Sequence, residues 1–290
     1  MLKLVNQRLQ VEIAEPGQVY QGSRFDWTGF ITQVTLDGQH TYCVPESLEP
    51  GQGSGGCGIC NEFGIAEPVG YEDLAPGGYF PKIGVGLLKR PDQKPYDFFR
   101  PYEIIPFPMT MVNIRDGVKF IVEPLECRGY LLELEKTITI NENQLQIDYC
   151  LKNLGERAVH TTEYCHNFIG IDGYQVGADY KLEFLYPVQL LPAENAAAQE
   201  VLRIDGREIN WNFQPTEDFY GKLDNIPSEA PHQWTIRHQP TNTEVTEESF
   251  FSPLRVALWG KGHVISPEVF IEIKVNPGET QRWSRRYTFS

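Results

Sequence analysis

Positive charge is scarce in this chain. Its 25 lysines and arginines stand against 39 aspartates and glutamates, a formal charge of −14. A field of that sign repels phosphate backbones and anionic membrane surfaces, which argues against nucleic acid or a membrane as partner. Long apolar runs are missing as well. No window approaches the roughly eighteen residues that a membrane span needs. The opening Met1-Leu2-Lys3-Leu4-Val5-Asn6-Gln7-Arg8 has neither the apolar stretch nor the small-residue cleavage pattern of a signal peptide. The six cysteines (Cys43, Cys57, Cys60, Cys127, Cys150, Cys165) show no repeated spacing, and a chain of 290 residues buries a core without covalent staples. Reduced thiols in a cytoplasmic protein are therefore expected. Cys57-Gly58-Ile59-Cys60 is a CxxC, but one pair cannot complete a four-ligand zinc site, and it lacks the strand-then-helix setting of a redox motif.

Helical periodicity is nearly absent too. The best helix candidate, Ala193 to Glu200, is short and contains an Asn. Glycine (26) and proline (21) are instead plentiful, and neither suits a helix interior. Period-two alternation is spread over the whole length: Leu9 to Ile13, Phe30 to Leu36, Lys119 to Val122, Tyr130 to Ile140, Leu145 to Leu151, Tyr180 to Tyr186, Gln233 to His238, Val256 to Trp259, Val269 to Val275 and Trp283 to Phe289. Turn chemistry such as Asp37-Gly38, Asp116-Gly117 and Asn276-Pro277-Gly278 separates these runs. No internal repeat is visible, which disfavours a propeller or a β-helix. The fold class is all-β, a large antiparallel β-sandwich forming one domain over residues 1–290.

One long segment, about 45–108, breaks the rhythm with Gly, Pro and aromatic residues. Loops longer than about 15 residues are uncommon unless functional or disordered. With Phe63, Tyr71, Tyr79, Phe80, Tyr96, Phe98 and Phe99 it is too rich in rings for disorder, so it is expected to pack on a sheet face and wall a site. The polar stretch Asn212 to Pro231 is a candidate rim or lid.

Chemistry concentrates in two places. In Thr161-Thr162-Glu163-Tyr164-Cys165-His166-Asn167-Phe168, strand alternation puts Thr162, Tyr164, His166 and Phe168 on one face and Glu163, Cys165 and Asn167 on the other. Rings flanking a titratable imidazole suit a sugar, with C–H surfaces to stack on and a proton to donate. The competing reading is a core histidine satisfied by backbone. Near the C-terminus, Pro267 cannot donate to a sheet ladder, so Glu268 is expected to begin a strand beside an irregular corner, where its carboxylate can serve as a base.

These residues carry a resemblance. Glu163-Tyr164-Cys165-His166-Asn167-Phe168 resembles the segment bearing the acid histidine in the galactose mutarotase (aldose 1-epimerase) superfamily. The ending, with Glu268 before a strand, then Pro277-Gly278-Glu279 and a final strand, is similar to that family's close. The resemblance implies a mutarotase-like supersandwich and an isomerase of carbohydrate metabolism that interconverts aldose anomers without metal or organic cofactor. Glu268 would be the base and His166 the acid, facing one cleft across about a pyranose ring. Arg24 and Lys82 would hold ring hydroxyls, each with a surface salt bridge as its plainer alternative, and Tyr164, Phe168 or Trp211 would stack. The family's first histidine and its upstream arginine have no clean counterpart before His160 except His40. A non-catalytic carbohydrate-binding protein on the same scaffold is the main alternative. A metal site around His166 is disfavoured by the opposite facing of Glu163, and a polysaccharide lyase by the sparse cations. The expected partner is a small sugar or sugar derivative, whose identity and phosphorylation stay open, as does a homodimer.

Overall fold

A computed structural model describes residues 1–191, 196–229 and 231–290. Among them, two ten-stranded antiparallel sheets dominate, with a small three-stranded sheet at one side. The first sheet runs in the order Leu2–Val5, Leu9–Ala14, Phe30–Leu36, Ile59–Phe63, Val159–Asn167, Val264–Val275, Arg255–Lys261, Phe219–Asp224, Gln189–Leu190, with His40–Thr41 paired beside Phe30–Leu36. The second runs Leu202–Asp205, Glu208–Trp211, Tyr180–Phe184, His232–His238, Thr243–Ser249, Thr280–Phe289, Gln144–Asn153, Leu132–Asn141, Gly117–Val122, Met109–Ile114. Each run of alternating residues named above lies on or overlaps one of these strands. The Asp37-Gly38 turn holds both residues at positive φ (53° and 69°), as a two-residue hairpin requires, and Gln39 N–H closes it on the Leu36 carbonyl at 3.0 Å.

Inward-facing residues of both sheets form one core, from Val11 and Ile31 in the first to Ile138, Ile147 and Tyr287 in the second. A seam of charge crosses that core. Lys136 Nζ reaches Asp26 Oδ2 at 2.6 Å and Asn61 Oδ1 at 2.9 Å. Asn61 donates to Glu163 at 2.6 Å, and Arg285 Nη1 pairs with Glu163 at 2.9 Å. Glu247 accepts from Trp234 at 2.8 Å and from Asn167 at 3.3 Å. Buried ions persist only when paired and hydrogen-bonded, and here the partners join the two sheets. Glu163, Cys165 and Asn167 point into this interior, so the other face of their strand is left for the cleft.

Segment 45–108 is more ordered than its composition suggests. It supplies the strand Ile59–Phe63 at the centre of the first sheet and the three-stranded sheet Tyr79–Lys82, Gly86–Lys89, Ile104–Pro106. Tyr71, Leu74, Phe80, Val85, Leu88 and Tyr102 give that small sheet its own apolar cluster. Ile59–Phe63 escapes sequence patterning because all five residues are buried, polar ones included, so no alternation marks it. Asn212 to Pro231 likewise contains a strand, Phe219–Asp224. The helix spans Ala196–Val201; Ala193 to Asn195 of the expected helix lie outside the described residues. No helix among the described residues is long and apolar enough to cross a membrane.

Candidate active site

Strand register assembles the site. Tyr164 sits opposite Glu62 on one side and Phe270 on the other, and Phe270 sits opposite Arg255. One pleat along, His166 is opposite Cys60, and Glu268 is opposite Ala257. One pleat further, Ser266 is opposite Trp259, which is opposite Tyr220. These rows share a sheet face because side chains two apart on a strand point the same way. Tyr164, Phe270, Arg255, His166, Glu268, Trp259 and Tyr220 of these rows floor a cleft of about 550 Å³, walled by Phe98, Phe99, Ile65 and the loop around Gln52 and Gly53 from segment 45–108.

Pro267 shapes the centre. The ladder between Val159–Asn167 and Val264–Val275 is regular from Val159↔Val275 to Tyr164↔Phe270, stops, and resumes at the bridge Ile169↔Ile265 in the same register. In the gap Pro267 has no N–H to give. Side chains replace the missing backbone bonds: Asn167 N–H donates to Ser266 Oγ at 3.0 Å, and Asn167 Nδ2 donates to the Pro267 carbonyl at 2.7 Å. Pro267 thus lies inside a long strand, not at the strand start expected from its chemistry.

His166 and Glu268 stand side by side at this break. His166 Nε2 is 3.3 Å from Glu268 Oε1, with the side chains only 4% and 5% exposed. That is contact, closer than the pyranose-ring separation expected. His166 Nδ1 lies 2.8 Å from Ser266 Oγ, and the imidazole stacks on Phe168 at 3.9 Å and 7°. Trp259 stands edge-on to it at 5.3 Å. Burial pushes the Glu268 carboxyl up to about 8, against the pull of Arg24 and Arg255, while Glu62 adds to the rise. Burial, helped by the charge of Arg24, holds His166 well below the ordinary histidine value of 6.5. The pair therefore favours one proton shared over a short line. Glu268 O–H can donate to Nε2 while Nδ1–H donates to Ser266 Oγ. Moving that one proton to Nε2 gives carboxylate and imidazolium at the same total charge.

Arg24 reaches the same floor. It pairs with Glu62 at 2.8 Å, donates to Tyr164 Oη at 3.1 Å and to Ser54 Oγ at 2.7 Å, and lies 4.5 Å over the Phe98 ring. It ties the cleft to segment 45–108.

Of the residues singled out in the sequence, Arg24, Tyr164, His166 and Glu268 line one cleft. Lys82 does not: it is buried behind the floor, its Nζ 3.5 Å from Glu62 and 3.1 Å from Tyr96 Oη, and burial draws its ammonium down to about 8 while Glu62 opposes the shift. Phe168 lies beneath His166 as its support, and a Cβ on Gly56 would come within 2.3 Å of its ring. Trp211 belongs to the second sheet and packs in the main core, away from the cleft. Glu62, Arg255, Trp259 and Tyr220 were not legible as site residues. Only their register beside His166 and Glu268 distinguishes them from other residues on buried strands. Among the described residues no group of three His, Cys, Asp or Glu is placed to hold a metal ion.

No family model matches the sequence, and no curated relative matches it. Solved structures do. The chain is similar to a galactose mutarotase related enzyme from Lactobacillus acidophilus, with 10% identity, TM-score 0.62, and coverage of 100% of this chain and 97% of that one. It is also similar to a galactose mutarotase-like protein from Lactobacillus casei, at 12% identity and TM-score 0.61 over 100% of both chains. A GalM/aldose epimerase homologue from C. elegans aligns at 12% identity and TM-score 0.57, covering 100% of this chain and 98% of its own. The fold is that of the galactose mutarotase-like β-sandwich.

Proposed function

We propose that the cleft interconverts the anomers of an aldose by acid–base ring opening, with His166 and Glu268 as the reacting groups. The observation that carries this reading is their 3.3 Å contact on the floor of a cleft of sugar size. Opening a hemiacetal removes a proton from the anomeric hydroxyl and adds one to the ring oxygen. Both oxygens are bonded to a single carbon, so two neighbouring groups on one face can serve both.

In the charge-separated form, Glu268 takes the hydroxyl proton while His166 Nε2–H protonates the ring oxygen, and the ring C–O bond breaks. The pair is left neutral, the form that burial favours. Rotation about the bond next to the aldehyde carbon presents its other face. Ring closure then returns the proton from Glu268 to the new anomeric oxygen, and His166 recovers its proton from the ring hydroxyl as that oxygen attacks. Ser266 keeps Nδ1 engaged, so that Nε2 is the nitrogen that exchanges. Trp259, half-buried in the cleft wall, offers a surface for the C–H face of the ring, while Tyr164, stacked on Phe270, supports the floor.

Polarimetry, or NMR exchange between anomers, tests the reading. Wild-type protein should accelerate equilibration, and His166→Asn and Glu268→Gln should each lower the rate by about 10²–10⁴-fold. Wild-type rates in both variants would exclude it. The carbohydrate-binding alternative would show sugar binding with no acceleration at all.

A further inference from the structure

We propose that Arg255 is an anion-binding residue, so that the cleft selects aldoses bearing a carboxylate or phosphate at the end remote from the anomeric carbon. The proposal rests on the reading of His166 and Glu268 as the groups at that carbon. Arg255 lines the cleft with its guanidinium carbon over the Phe270 ring, 4.0 Å from the centroid, and its buried Nε has no hydrogen-bond partner. Among the described residues no carboxylate pairs with it, whereas Arg24 has Glu62 at 2.8 Å and Arg285 has Glu163 at 2.9 Å.

A guanidinium carries five donors in a rigid fork that matches a carboxylate or phosphate, and leaving buried donors unpaired is costly. The placement suits a substrate substituent. Arg255 is two residues from Ala257, which sits opposite Glu268, so it stands one pleat, about 7 Å, along the strand from the acid–base pair. That is on the order of one sugar ring. The other charges of the cleft are disposed elsewhere. The Glu46 carboxylate accepts from the Ser54 and Gly56 N–H groups, and Asp218 precedes Phe219, whose partner Gly260 adjoins Lys261 at the opposite end of the Arg255 strand.

Calorimetry with glucose, glucuronate and glucose 6-phosphate tests this, alongside NMR anomer exchange on the same three sugars. At least one anionic sugar should bind about tenfold or more tightly than glucose, and whether carboxylate or phosphate is favoured identifies the substituent. In Arg255→Met, which retains a side chain to cover Phe270, the ratio of anionic to neutral affinity should collapse toward one. Arg255→Lys should keep only part of it, and serves as the reading if Arg255→Met does not fold. Three results would overturn the inference: glucose bound as tightly as both anions, neither anion bound, or an unchanged ratio in a folded Arg255 variant. A preference for the anion with no acceleration of exchange would sink the acid–base reading alone.

Discussion

Nε2 of His166 and Oε1 of Glu268 face each other at 3.3 Å across a gap in the sheet ladder that Pro267 opens. Two opposing titrations meet in that contact, and their balance can be measured.

The first prediction concerns stability against pH. In the folded protein Glu268 is protonated up to about 8 and His166, held well below its ordinary 6.5, is neutral from 6.5 upward, so the pair holds one proton between 6.5 and about 8. The unfolded chain holds two below the ordinary 4.5 of glutamate, one between 4.5 and 6.5, and none above 6.5. The pair's contribution therefore falls by about 2 kcal/mol between 6.5 and 8, where the folded state binds the extra proton. Glu268→Gln leaves only the His166 term, which rises with pH up to 6.5 and is level above it. Urea unfolding of wild type and variant at pH 5.5, 6.5 and 8 should show this difference. Parallel pH profiles would contradict it.

Ser266→Ala strands both the Asn167 N–H and His166 Nδ1. Loss of a buried partner costs about 1–3 kcal/mol. Because His166 could then turn its ring or change tautomer, the pH dependence of anomer exchange should shift together with the rate. A loss of stability with an unchanged pH–rate profile would leave Ser266 a purely structural residue.

The seam between the sheets should be far less tolerant. Arg285→Met leaves Glu163 and Glu247 without their shared cation, and breaking a buried pair costs about 3–5 kcal/mol. Replacing both Glu163 and Arg285 by apolar residues should recover part of that loss. Chemical denaturation gives both values, and a double variant no better than the single one would show that Asn61, Trp283 and Val269, which also bond this pair, carry the cost instead.

Lys82→Met should cost stability without a direct effect on sugar contacts, because the amine is one layer behind the cleft, against Glu62 and the Gly64 carbonyl. A raised Kd for sugar in a variant of unchanged melting temperature would place Lys82 nearer the ligand than its burial allows.

Much of the fold is written locally. Alternation along Leu132–Asn141 or Thr280–Phe289 needs only one chain segment to be seen, and so does the Asp37-Gly38 turn. The same alternation separated His166 from Glu163. What the sequence hides is adjacency. Glu62 acquires meaning only beside Tyr164, 102 residues away, and Arg24 only beside both. Lys82 and Trp211 looked available because exposure cannot be read from residue type. A lysine with a buried glutamate and a tyrosine as partners packs inside as readily as an isolated one stays out.

The strand Val159–Asn167 carries His166, the proposed acid, on one face and part of the inter-sheet seam on the other, in strict alternation. Random mutagenesis across it should therefore give two interleaved classes of damage. Lesions at His166 should yield protein that is purified normally and is inert, whereas lesions at Glu163 or Asn167 should lower the yield of folded protein while the surviving molecules still turn over. A drifting descendant of this chain could thus lose turnover by one even-numbered change and persist as a well-folded binder of its former substrate.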